Sequence, residues 1–213
     1  MKDPKERFLR LFDNNEIEHF FSANYLELKY TITVYELLKK HYKSGGSIVD
    51  NVYFKSLFGQ FYAMTPLFAP PPFIDNFYIE MENVRRKTES NGLDISALTN
   101  KLCGNNEKDK LQFSFISKLM NIENDELYPI YDSKVISHFP FKSLPNQKET
   151  RLKQLVERYK IITQTYFDLL EDEKALCILR LFKEKFDCFN STNMRIVDVI
   201  FWQLGKWDEK HTN

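Results

Sequence analysis

The sequence predicts an all-α protein, and three observations carry the prediction. Apolar residues recur at helical spacing in tract after tract, most regularly Leu152, Leu155, Val156, Tyr159, Ile162, Tyr166, Leu169 and Leu170. Period-two alternation, the mark of a half-buried strand, is nowhere sustained. Six glycines in 213 residues are too few for a glycine-turned sheet or a glycine-rich phosphate loop.

Taken in order, Asp3 is placed to cap a first helix with Pro4 at its first position and Phe8, Leu9, Leu11 and Phe12 on its apolar face. A second tract, residues 16–42, carries Phe20, Tyr25, Leu28, Ile32, Tyr35, Leu38 and Tyr42. The β-branched run Thr31-Ile32-Thr33-Val34 works against helix inside it. Gly45 and Gly46 end that tract. A third helix is expected over 49–64. The prolines of APPPF, 69–73, read as a rigid connector that separates an N-terminal helical lobe, 1–68, from a second helical unit, 73–213. Helix resumes over 75–90, and Asp94 caps a short one that Gly104 stops. The spacing then predicts helices over 149–170 and 174–186, and a last one, capped by Ser191 or Thr192, through Ile196, Val199, Ile200 and Leu204.

Composition narrows the function classes. Thirty basic and thirty acidic side chains cancel, so no global field draws the chain to nucleic acid. The three cysteines, Cys103, Cys177 and Cys188, have no metal-ligand spacing and read as reduced thiols of a cytoplasmic protein. His19, His41, His138 and His211 are scattered, so no metal and no cofactor is expected. The opening MKDPKERFLRLF is charged and amphipathic, unlike a secretory leader, and no apolar run approaches the ~20 residues of a membrane span.

The most informative stretch is FSFISKLMNIENDELYPIYDSKVISHF, 113–139. It reads as helix, acidic loop, proline-set turn and helix. Pro129 biases Tyr128 to extended backbone, and Asp132 stands at the N-cap of a helix carrying Val135, Ile136 and Phe139. Together with ISALTNKLCG, NNEKDKLQF and IVDVIFWQL, this pattern resembles the helix-hairpin-helix superfamily of base-excision DNA glycosylases. The resemblance spans roughly 75–204, and its specific part is YPIYDS. It implies a helix-hairpin-helix glycosylase fold of two packed helical lobes, DNA as partner, and Asp132 in the place of the catalytic aspartate. The family's glycine-rich hairpin is reduced here to Gly104, and its nucleophilic lysine position falls near Phe113. The resemblance therefore implies a monofunctional N-glycosidase using Asp132 and water.

The residues themselves leave alternatives open. Asp132 is either a plain cap or the carboxylate that faces a cationic sugar. Lys118, fourteen positions earlier, is a solvated lysine, an ion-pair partner of Asp132, a phosphate contact, or a nucleophile if its pKa is depressed. Ser117 and Ser133 are caps or phosphate ligands. Lys101, Lys108, Lys110 and Lys134 are solvated or form a basic patch, which Glu107 and Asp109 dilute. Tyr128, Tyr131 and Trp202 are core aromatics or platforms for a flipped base. The alternative function is a non-catalytic glycosylase-fold module that binds protein or nucleic acid.

Overall fold

A computed structural model describes residues 3–13, 16–87, 92–104 and 110–211. Those residues are all-helical, with no strand among them. The helices are α1 (Pro4–Asp13), α2 (Ile17–Ala23), α3 (Tyr25–Lys43), α4 (Val52–Phe61), α5 (Pro71–Arg86), α6 (Ile95–Cys103), α7 (Phe113–Glu123), α8 (Ser133–Ile136), α9 (Lys148–Leu170), α10 (Glu173–Phe186) and α11 (Asn193–His211).

Several ends follow from capping. Asp94 accepts from the backbone N–H groups of Ser96 and Ala97, and Asp172 from those of Lys174 and Ala175. Thr192 Oγ1 accepts from Arg195 N, so it rather than Ser191 covers the start of α11. Gly104 closes α6 at φ +61°, a region open to glycine at no steric cost.

Other boundaries differ from the sequence expectation. The tract 16–42 is two helices, because Asn24 leaves helical geometry at φ −113°, ψ 15°. Its side-chain amide donates to Phe20 O while its oxygen accepts from Gln203 of α11. A residue with this competing side chain breaks a helix where a tertiary partner holds it. The β-branched run stays helical, with Thr31 Oγ1 bonded to Glu27 O and Ile32 buried, so packing overrides propensity. The connector at 69–73 is shorter than expected, since Pro71 and Pro72 open α5 and Pro70 occupies its cap. Proline costs nothing in a first turn, whose N–H groups lack intrahelical acceptors in any case. The helix of Asp132 is a single turn, and Phe139 lies beyond it, just before Pro140.

The centre of the molecule is α11. Ile196, Val197, Val199, Ile200 and Phe201 are all buried, as expected for a helix packed on several sides. It contacts α3, α8, α9 and α10, while α1 packs on α9 and α10. The N-terminal helices thus fold back on the C-terminal ones. A second cluster joins α5, α6 and α7, and α6 reaches across to α9. Aromatic rings fill the core: Phe201 stacks on Tyr166 with centroids 5.3 Å apart, and Phe182 and Phe186 lie 4.5 Å apart.

Two contacts fix the frame and carry predictions. Glu82 is buried on α5, and its Oε2 accepts from Ser47 Oγ and from the N–H groups of Ile48 and Val49, at 3.0 to 3.2 Å. The Val49 N–H bond leads in holding its carboxyl below the usual range. Glu82→Ala strands those donors, and urea unfolding at neutral pH is expected to show a loss of about 2–4 kcal/mol. Because the folded pKa is depressed, Glu82's contribution is present above its unfolded pKa and is lost as pH falls through the folded one. The second contact is Gly205, where an added Cβ would lie 2.6 Å from Lys134 O, so the backbone of α8 rests directly on α11. Gly205→Ala gains helix propensity of about 1 kcal/mol but forces the two backbones apart. A net loss of about 1–3 kcal/mol in urea unfolding is expected.

Candidate active site

Between α7 and α8, residues 128–132 belong to no helix, and buried backbone outside a helix must find partners for its polar groups. Side chains from three helices supply them. Ser117 Oγ of α7 accepts from Tyr131 N at 2.9 Å, and Asn121 Nδ2 donates to Tyr128 O at 2.7 Å. Tyr159 OH of α9 donates to Pro129 O at 3.0 Å. Both carboxyl oxygens of Asp198, on α11, accept from Ile130 N at 3.0 and 3.1 Å. The segment YPIYD is therefore pinned residue by residue, and Asp132 emerges from it at a fixed place.

The two oxygens of Asp132 do different things. Oδ1 accepts from Lys134 N at 3.1 Å and caps α8. Oδ2 faces Lys118 Nζ at 3.4 Å. Lys118 is only 6% exposed. Its ammonium donates to Ser114 Oγ at 3.1 Å and lies over the rings of Phe115 and Tyr62 at 5.1 and 5.3 Å. Burial pushes its pKa below the ordinary lysine value, and Asp132 partly offsets that.

Lys118 and Asp132 open into one pocket of about 350 Å³ between α3, the end of α4, α8 and α11. Phe61, Tyr62 and Trp202 contribute aromatic walls, and Tyr30 adds an exposed ring. Ala63 follows Tyr62 with a left-handed φ of +53°, which terminates α4 beside the pocket. On the opposite side Lys206 pairs with Glu27 and lies 4.4 Å over the ring of Trp202. Gln203 ties the same Glu27 and Asn24 to α11, which holds this wall in place.

The floor carries two buried charges from α11. Arg195 is 3% exposed and stacks on the Tyr35 ring at 4.0 Å. Asp198 is 2% exposed. Burial raises its carboxyl to about 7, against the opposing pull of Arg195, the Ile130 N–H and Tyr166.

Of the residues singled out from sequence, Asp132, Lys118 and Trp202 meet in this pocket. Ser117 is fully buried, accepting from Tyr131 N and donating to Ser114 O, so no capacity remains for a phosphate. Ser133 is exposed beside Asp132 Oδ1 at 3.5 Å. Tyr128 and Tyr131 do not line the pocket. Tyr128 OH accepts from Leu93 N at 2.6 Å, and Tyr131 packs edge-on against Phe113 at 5.0 Å. The contacts of both are those of core aromatics, one of the two alternatives that the sequence leaves open. Lys101 is paired with the buried Glu80, Lys110 is exposed along a separate cleft near Phe68 and Gly104, and Lys134 lies on α8. Lys108 falls outside the described residues.

Sequence reasoning missed Arg195, Asp198, Tyr62 and Phe61. A signal for the first two was present: both stand in the apolar run MRIVDVIFWQL, where a charge four or seven positions before Trp202 falls on the same helix face and enters a buried environment. Among the described residues no group of histidine, cysteine and carboxylate side chains could hold a metal ion. His138 is taken up by Phe201 O at 3.0 Å. No described helix is long and apolar enough to cross a membrane. Comparison with family models, with curated proteins and with solved structures returned no match.

Proposed function

We propose that this chain is a DNA-glycosylase-like enzyme that releases a base from a deoxynucleotide extruded into the pocket. The observation that supports the reading best is the buried amine of Lys118, 3.4 Å from the carboxylate of Asp132, at one side of an aromatic-walled pocket of about 350 Å³. Such walls offer π-faces to a base taken out of its stack. A lysine whose pKa is lowered by burial presents more of the neutral, nucleophilic amine.

In the proposed reaction the Nζ lone pair forms a bond to the sugar C1′. The C1′–base bond breaks, its electron pair leaves on the base, and the base takes up a proton. Asp132 stabilises positive charge growing on the sugar and accepts the proton that Nζ sheds. The C1′–O4′ bond then breaks, its electron pair leaving on O4′, which takes the proton back from Asp132, while the nitrogen lone pair forms the iminium; water adds to C1′ and returns the free amine and the base-free sugar. This differs from the water route implied by the family pattern, where counting along the chain puts the lysine position at Phe113; it rests instead on the Lys118–Asp132 distance.

Duplexes carrying deaminated, oxidised or alkylated bases, incubated with borohydride, test it. A protein–DNA adduct together with free base is the expected result. Free base without an adduct replaces the amine by an Asp132-activated water. Neither release nor binding at low salt replaces the enzyme by a non-catalytic interaction module, the reading favoured by the chain's zero net charge and by the engagement of Lys101 with Glu80.

A further inference from the structure

The floor of the pocket holds donors that no acceptor on the protein uses. The guanidinium carbon of Arg195 lies 4.0 Å from the centroid of the Tyr35 ring, a cation–π contact that engages its charge and none of its N–H donors. Its Nε is buried without a hydrogen-bond partner. Asp198 does not fill that role, since both its oxygens are turned to Ile130 N and Asn121 Nδ2 donates to one of them at 3.4 Å. Close by, the hydroxyl of Tyr62 is also buried and unpartnered. Burial pushes the Tyr62 pKa well up, so this hydroxyl keeps its proton. An unmatched buried donor is costly, and a buried arginine fork costs more than most. Arg195 and Tyr62 both line the pocket, so a ligand that opens onto these two covered donors supplies the acceptors they lack.

We propose that Arg195, assisted by Tyr62, is the specificity element of this pocket and selects a base presenting adjacent acceptors on one edge, a keto oxygen beside a ring nitrogen, over one presenting an amino group there. This rests on the reading of the pocket as a base site. The planar fork matches a keto oxygen and a neighbouring ring nitrogen in two parallel hydrogen bonds, whereas an exocyclic amine sets donor against donor. Lysine cannot reproduce the fork, although it keeps the charge that Asp198 and Tyr35 face.

Hypoxanthine and adenine make the direct comparison, because they share the purine ring and differ at position 6 as keto against amino. Binding is read by quenching of Trp202, which lines the pocket, in a Trp207→Phe background. Hypoxanthine is expected to bind at least about tenfold more tightly than adenine. Arg195→Lys is expected to reduce that ratio to about threefold or less, with a melting temperature close to that of the parent. If Arg195→Lys unfolds, the ratio in the parent still decides. Equal binding of the two purines overturns the selectivity and leaves the base site standing. If neither purine quenches Trp202, the base site and the inference fall together. If inorganic phosphate quenches Trp202 where the purines do not, and Arg195→Lys alters that quenching, Arg195 is an oxyanion ligand and the inference is overturned.

Discussion

Lys118→Met is expected to abolish the borohydride adduct and lower base release by about 10²–10⁴, with the melting temperature unchanged or raised. The two halves of that expectation have separate causes. Methionine keeps the unbranched stem that packs against Phe115 and Tyr62 but removes an amine whose burial disfavours its charge. Asp132 retains its bond from Lys134 N through the other oxygen, so the cap of α8 survives. Asp132→Asn should behave alike: asparagine caps about as well as aspartate, and base release is lost with the charge. Asp132→Ala should lose release and also about 0.5–2 kcal/mol of stability. Release by the parent should rise with pH through the lowered lysine pKa as the neutral amine forms, then level off. A Lys118→Met protein that is destabilised yet releases base at the parental rate would make the lysine structural and end the proposal.

The second large effect concerns Asp198 and is a matter of stability alone. Its folded pKa is raised to about 7 by burial, above the ordinary value of 3.8. Between those values the folded state holds a proton that the unfolded chain has released, so stability falls as pH rises across that window and is level above it. At about 1.4 kcal/mol per pH unit the full change is roughly 4 kcal/mol. Asp198→Asn removes a titrating group while keeping an oxygen to accept from Ile130 N. Urea unfolding of both proteins at pH 4.5, 6 and 8 should show asparagine progressively more stable than aspartate as pH rises. A difference that stays constant with pH would mean that Asp198 does not titrate in this range.

The link between these two residues explains why the site was half visible from sequence. Asp132 could be found because an N-cap after a proline-set turn is a local pattern, legible in six residues. Lys118 was legible only as a candidate, since its partner depends on how the segment after α7 folds back. That return is set by Ser117, Asn121, Tyr159 and Asp198 bonding to backbone groups up to 68 positions away. Sequence left the place of Tyr128 and Tyr131 open for the same reason: an aromatic next to a catalytic candidate in sequence faces wherever the pinned backbone turns it.

By itself the sequence determined what is periodic or local. It set the all-α class, the long helices α9 and α10, the caps at Asp94 and Asp132, and the stop at Gly104, because each depends on side chains within a turn or two of one another. The tertiary structure alone decided the break at Asn24, the seating of α8 on Gly205, and the pocket in which Lys118 meets Asp132, Trp202 and Arg195. These depend on α11 running through the centre of the fold, where one helix brings residues 195 to 206 against side chains from residues 27, 62, 118 and 132. Hydrophobic burial selects that arrangement over the whole chain at once, and no short window of sequence records it.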